Sequence, residues 1–210
     1  MRSTRRAFII LLALCCTVCC TASLSSCRST PPPPLEDIYD TAVSLIEASY
    51  AVNDLVFGHG LPVWAVESGW AALYRLYSDN DYADYEYVTE YAPIITLEQL
   101  RTAISAVYSA DYAASLFVTL FDGVSDGLGI QRARFSEDEK GLYQSIDHAP
   151  LVTWQRIYDY SSMRIVSPSN AGYVTLEIDS YLPGEQDKPL AVRLGLGLEN
   201  GQWRLDTPTF

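Results

Sequence analysis

Beyond residue 27 the chain contains no cysteine: all five lie at Cys15, Cys16, Cys19, Cys20 and Cys27. The residues that follow can form no intramolecular disulfide, even in an oxidising compartment, and must be held by a packed core. Histidine is nearly absent too, with only His59 and His148. The two lack the i, i+4 spacing of a helical zinc site. His59 lies between Gly58 and Gly60, and His148 precedes Ala149-Pro150, so both read as loop residues. Cations are scarce, with 14 Lys and Arg against 26 Asp and Glu, a formal net charge of −12. Such a surface repels nucleic-acid phosphates and anionic lipid head groups, which argues against nucleic acid as a partner. No apolar run reaches the ~20 residues that a bilayer-spanning helix needs. The longest, Ala7 to Cys20, covers 14 residues, with only Thr17 polar.

That run has the anatomy of an export signal. Arg2, Arg5 and Arg6 precede it, and the small residues of Thr21 to Ser26 surround Leu24 before Cys27. Leu24-Ser25-Ser26-Cys27 resembles the lipobox of bacterial lipoproteins. The resemblance implies that the Cys27 thiol is diacylated, that the chain is cut just before it, and that residues 1–26 are removed. Two acyl chains at ~0.8 kcal/mol per buried CH₂ anchor a protein stably, so the implied partner is a membrane and the domain stands outside the cytoplasm. Arg28 follows the cysteine, which leaves the choice of membrane and envelope type open. Thr4 to Ile9 is also similar to a twin-arginine signal, but Ile10 stands where that motif often has lysine, and the strongly apolar run favours general secretion. Cys15, Cys16, Cys19 and Cys20 have no histidine nearby and read as small hydrophobes within the run, not as metal ligands. Without Arg2, Arg5 and Arg6 the balance is 11 basic to 26 acidic residues, a formal −15, which serves solubility.

Residues 27–34, ending in Pro31-Pro32-Pro33-Pro34, form an extended polyproline spacer between anchor and domain. Residues 35–210 read as one globular domain. The spacing of Ile38, Ala42, Leu45, Ile46 and Ser49 predicts a helix over Leu35 to Val52. Val63 to Tyr77 reads as a loop and a short helix, and Tyr85 to Ile95 as a strand. Thr96 and Gln99 form a capping box for a helix from Leu97 to about Ser109, burying Leu100, Ile104 and Val107. A further helix covers Asp111 to Phe121 and stops at Gly123. The last third is strand-rich: Ile130 to Phe135, Ile157 to Val166, Gly172 to Leu182, Leu190 to Glu199 and Gln202 to Asp206. Asn200-Gly201 is the strongest hairpin signal. Gly195 and Gly197 share a face and mark a bend or a close approach.

Helices first and antiparallel strands last predict an α+β fold, with N-terminal helices packed on a curved sheet formed mainly by the C-terminal third. The order, and the ending Asn200-Gly201-Gln202-Trp203-Arg204-Leu205-Asp206, resembles the cystatin-like or nuclear-transport-factor-like cone of small bacterial domains. It is similar, more loosely, to secreted inhibitors of cell-wall endopeptidases. That fold hosts enzymes and non-catalytic binders alike, so the function must be argued from a site.

No catalytic, metal or cofactor constellation stands out. Gly123-Val124-Ser125-Asp126-Gly127 matches G-x-S-x-G, but a nucleophile elbow needs a strand before it and a helix after it, and Leu128-Gly129-Ile130 is no helix start. Asp138 or Asp147 with His148 would complete the set. Asp79, Asp81 and Glu90 take positions 1, 3 and 12 of a calcium-loop register, yet the sixth position is Asp84 where the turn demands glycine. What is abundant is tyrosine, with 15 residues. Tyr85, Tyr87 and Tyr91, with Trp70, are the candidate lining of a binding groove, since such rings combine a large apolar face with a polar tip. The expectation is a lipid-anchored, non-catalytic envelope protein that binds a protein, peptide or glycan. The alternative is a hydrolase or other cone-fold enzyme using Ser125 or a carboxylate. Labelling with a fatty-acid probe in a bacterial host tests the anchor. The chain should take up label and sediment with membranes, whereas Cys27→Ala should do neither; a labelled or membrane-bound Cys27→Ala product would refute the lipobox.

Overall fold

Apolar residues at 3- and 4-residue steps give Leu35–Phe57 one buried face, and the segment forms helix α1. A computed structural model of the chain describes residues 30–63, 85–125, 130–131, 133–145 and 155–210. Within it Pro32–Phe210 is one compact unit. Ile38, Ala42, Leu45, Ile46 and Ser49 are all buried, as their spacing predicts. The helix runs past the expected end at Val52 because its last carbonyls find donors. The Gly58 N–H bonds the carbonyls of Asn53 and Asp54 at 3.2 and 3.0 Å. Buried Arg134 donates to the Leu55 carbonyl at 3.0 Å and to that of Gly58 at 2.7 Å. A cation suits the negative end of the helix dipole.

Strand β1 covers only Tyr85–Tyr87. The expected continuation to Ile95 stops because the chain turns: Val88 makes an isolated bridge to Val63, and Ala92 bonds the Thr89 carbonyl at 3.0 Å. Pro93 has no N–H to extend a ladder. Helix α2 is Leu97–Val107 and buries Leu100, Ile104 and Val107 as expected. Thr96 Oγ1 accepts the Gln99 N–H at 3.1 Å, and the Gln99 side chain reaches back one residue further than the usual box, to the Ile95 N–H at 2.8 Å. Helix α3 is Ala110–Phe117, followed by a π-helical turn, Val118–Asp122, that Gly123 ends at φ 73°. The step from α2 to α3 is pinned: Tyr108 is extended and bridges Leu205, and Ser109 caps α3 through the Tyr112 N–H at 3.2 Å.

Strands β2 (Val124–Ser125) and β3 (Ile130–Gln131) pair over two residues each. The expected strand from Ile130 to Phe135 is thus divided, its second part becoming β4 (Phe135–Asp138). β4 turns through Glu139-Lys140 into β5 (Gly141–Ser145), which no apolar alternation announces, and the two join β1 in an antiparallel sheet of order β1-β5-β4. The main sheet is antiparallel and follows chain order: β6 (Ile157–Asn170), β7 (Tyr173–Tyr181), β8 (Leu190–Glu199) and β9 (Gln202–Leu205). Helices therefore come first and strands mainly last, an α+β arrangement with two principal open antiparallel sheets instead of one. Asn200 and Gly201, at φ 51° and 79°, make the tight turn between β8 and β9. A Cβ at Gly195 would lie 2.2 Å from the Tyr173 hydroxyl, so this glycine marks the close approach, while Gly197 faces open space.

Val174, Leu176 and Ile178 of β7 and Leu196 of β8 are fully buried on the helix side of the main sheet. On its other face Glu177 pairs with Arg164 of β6 and, at 2.9 Å, with Arg193 of β8. α1 packs against α2, β6 and β9. At that junction the tail after β9 enters the core, and Thr209 is only 1% exposed. Its hydroxyl lies 2.6 Å from Ser49 Oγ and accepts from Asn53 Nδ2 at 2.8 Å. Its carbonyl accepts from the Tyr158 hydroxyl at 2.9 Å, and the Tyr108 hydroxyl donates to Asn53 Oδ1 at 2.7 Å. Buried groups stranded without a partner cost about 1–3 kcal/mol. Thr209→Val keeps the shape and strands Asn53 Nδ2, so the expected loss is about 1–3 kcal/mol, read as a lower urea midpoint. An unchanged midpoint would mean that the network contributes nothing.

Candidate functional site

The surfaces of α1 and β6 diverge above this polar knot and leave a cleft of about 560 Å³. Helical geometry sets one wall: Glu47, Tyr50 and Asp54, at i, i+3 and i+7, share a side of α1. Strand geometry sets the other: Tyr158 and Tyr160, two apart, share a face of β6, preceded by Gln155 and Arg156. Ile157 and Pro183 complete the rim. The Tyr50 hydroxyl donates to the Arg156 carbonyl at 2.9 Å, and Gln155 Nε2 donates to the Tyr50 carbonyl at 3.0 Å. These two bonds tie helix to strand across the cleft floor. The rings of Tyr158 and Tyr160 are nearly parallel, 12° apart with centroids separated by 6.5 Å. A second hollow between α1 and the β8–β9 turn, beside Asp40 and Trp203, is more open.

The tyrosines of the cleft are neutral phenols set among the charges of Glu47, Asp54 and Arg156. Burial raises the Tyr50 hydroxyl, and the neighbouring Tyr160, Tyr158 and Glu47 push it the same way. Burial raises Tyr158 as well, against the pull of the Arg156 charge. Tyr160 is raised by burial and by Glu47, with its contact to Tyr50 opposing. All three therefore stay protonated near neutrality and offer both a donor and an acceptor. Burial lowers Arg134, the nearby Asp54 charge offsets this, and the group remains a cation behind the Asp54 end of the cleft. Asp54 itself holds His59: Oδ1 lies 3.0 Å from the ring Nδ1 and accepts the His59 N–H at 3.1 Å.

The residues singled out in the sequence lie elsewhere. Tyr87 is committed to β5: its hydroxyl donates to the Lys140 carbonyl at 2.9 Å, its ring meets Tyr143 edge-on at 5.5 Å, and it closes over Gly141. Tyr91 stands on a turn, 83% exposed. Tyr85 shares the strand face of Tyr87 by backbone position, and its side chain is outside the described residues. Trp70, Cys27, Asp79, Asp81, Asp84, Asp147 and His148 also lie outside them. Ser125 sits in β2, but the segment before it, Leu116 to Phe121, is helical where a nucleophile elbow needs a strand. Among the described residues no group of three or more His, Cys, Asp or Glu could hold a metal, and no helix is long and apolar enough to cross a membrane. The cleft tyrosines carry no joint signal in the sequence: Tyr50 belongs to a helical period and Tyr158 and Tyr160 to a strand period, over 100 positions apart.

No protein-family model matches the chain, and no curated protein matches it by sequence. The tyrosines give the site a pH signature. Unfolded phenols ionise near 10, whereas folded Tyr112 is pushed up to about 12, chiefly by burial, and Tyr50, Tyr108 and Tyr158 are raised too. A raised value favours the folded state fully below pH ~10, and that contribution falls as pH rises further. Alkaline titration should show the phenolate absorbance of these tyrosines appearing only with the loss of circular dichroism. Full reversible ionisation of every tyrosine in a folded protein would contradict their burial.

Proposed function

We propose that this chain is a lipid-anchored protein of the bacterial cell envelope whose α+β domain binds a protein, peptide or glycan without transforming it. Leu24-Ser25-Ser26-Cys27 supports the anchor, and Pro31 to Pro34 the stand-off from the membrane. The observation that carries the binding role is the cleft between α1 and β6. Its 560 Å³ lie within the ~300–1,000 Å³ of small-ligand sites, and its walls mix tyrosine faces with a few polar and charged groups. Among the described residues the lining holds no serine, cysteine or histidine, and its carboxylates are Glu47 and Asp54. In the envelope such a domain would sense or modulate components of the wall, its cleft presented to solvent on the acidic globule.

Photo-crosslinking tests this reading. The full chain with benzoyl-phenylalanine at position 160, expressed with its own N-terminus, should give a discrete envelope adduct by mass spectrometry, and the same group at exposed position 98 on α2 should not. Equal or absent adducts at the two positions would refute a binding cleft. An envelope-substrate hydrolysis abolished by Ser125→Ala would replace the binder with the alternative hydrolase.

A further inference from the structure

Two opposite charges face the cleft from its two walls without pairing. Glu47 stands on α1 and forms no ion pair among the described residues. Arg156 stands on the β6 side, and its guanidinium donates to the Ser180 hydroxyl at 3.1 Å, a neutral partner. The other described arginines are engaged differently. Arg134 holds helix carbonyls, and Arg164 and Arg193 hold Glu177. Arg204 bonds the Ser105 carbonyl at 3.0 Å and the Gln202 side chain at 2.6 Å, and Arg101 lies over the rings of Phe117 and Phe121. In a chain with 26 acids and 14 bases, a guanidinium left with one hydroxyl beside a cavity is a guanidinium with capacity for an anion. Asp54 reinforces the acidic wall, although its Oδ1 is taken by His59, which leaves Glu47 as the freer carboxylate.

Between the two charges stand Tyr50, Tyr158 and Tyr160. Glu47 and Tyr50 come from α1, and Arg156, Tyr158 and Tyr160 from the β6 side, so carboxylate and guanidinium stand on opposite walls with phenols on both. Phenol faces also favour a cation placed over them. A neutral sugar would leave both charges facing it unsatisfied. A purely anionic ligand would meet Glu47, and a purely cationic one Arg156.

We propose that the cleft recognises a ligand carrying both an ammonium and a carboxylate, a free amino acid or a short peptide with free termini, its ammonium toward Glu47 and its carboxylate toward Arg156. This rests on the binding reading above and narrows it to one ligand class. The carboxylate would take the Arg156 guanidinium as a forked pair, and the peptide body would lie on the tyrosines.

Equilibrium dialysis of the full chain in detergent micelles, against a randomised tripeptide pool analysed by mass spectrometry, tests it. The pool is offered with free termini, N-acetylated, or C-amidated, with tri-N-acetylchitotriose as the neutral glycan arm. Free-terminus peptides should be retained at least tenfold more than either capped pool. Glu47→Gln should erase the penalty for acetylation, and Arg156→Gln the penalty for amidation, while circular dichroism shows both variants folded. If Arg156→Gln unfolds, Arg156→Lys should still prefer the free carboxylate. Equal retention of capped and free pools, or retention of chitotriose alone, would overturn the zwitterion and leave a binding cleft standing. Retention of nothing would overturn it too, and the crosslink at position 160 then decides whether any binding role survives.

Discussion

One buried threonine holds the helix to the sheet. Through its hydroxyl Thr209 meets Ser49 and Asn53 on successive turns of α1, and through its carbonyl it meets Tyr158 of β6. Tyr108, at the end of α2, closes the knot on Asn53. Every one of these groups is removed from water, so each bond exists to cancel a desolvation cost as much as to add attraction. The cleft is a by-product of this arrangement. Ser49 and Asn53 point inward from the same helical turns that send Tyr50 and Asp54 toward the opening, and the Tyr158 that lines the cleft is anchored by its tip to Thr209. The two walls are thereby joined by hydrogen bonds as well as by apolar packing of Tyr50, Tyr158 and Tyr160.

Scarcity of cations shapes the rest. With few arginines in an acidic chain, their placement is informative. Arg134 replaces a conventional cap at the end of α1, where it answers the Leu55 and Gly58 carbonyls in place of water. Glu177 bridges Arg164 and Arg193 across three neighbouring strands, and their hydrogen bonds and charges hold its carboxyl below the usual carboxylate range. Both arginines are exposed to solvent, so the ladder adds little to stability.

Much of this fold was legible in the sequence. The buried face of α1, the capped start of α2 and the Asn200-Gly201 turn follow from period and turn chemistry, and the β8 boundaries match the alternation of Leu190 to Leu198. Local patterns were blind to partners distant in sequence. Nothing near residue 52 announces that Arg134 will prolong α1, and Gly141–Ser145 becomes a strand because β1 and β4 flank it, not because it alternates. The stretch around Tyr87 is dense in tyrosine, yet Tyr87 there packs against Tyr143. The cleft depends on Tyr50 meeting Tyr158 and Tyr160, a tertiary fact invisible to any window.

The knot also joins residues that are made at opposite times. Ser49 and Thr209 are separated by 160 positions, so loop closure must bring nearly the whole domain together before their bond can form. Ribosomal synthesis delivers α1 early, and its inward serine and asparagine remain hydrated until the tail arrives. A contact of such long range adds to the mean sequence separation of contacts, the quantity that slows folding. A chain of this design cannot complete its polar core until Ser49, Asn53 and Thr209 meet.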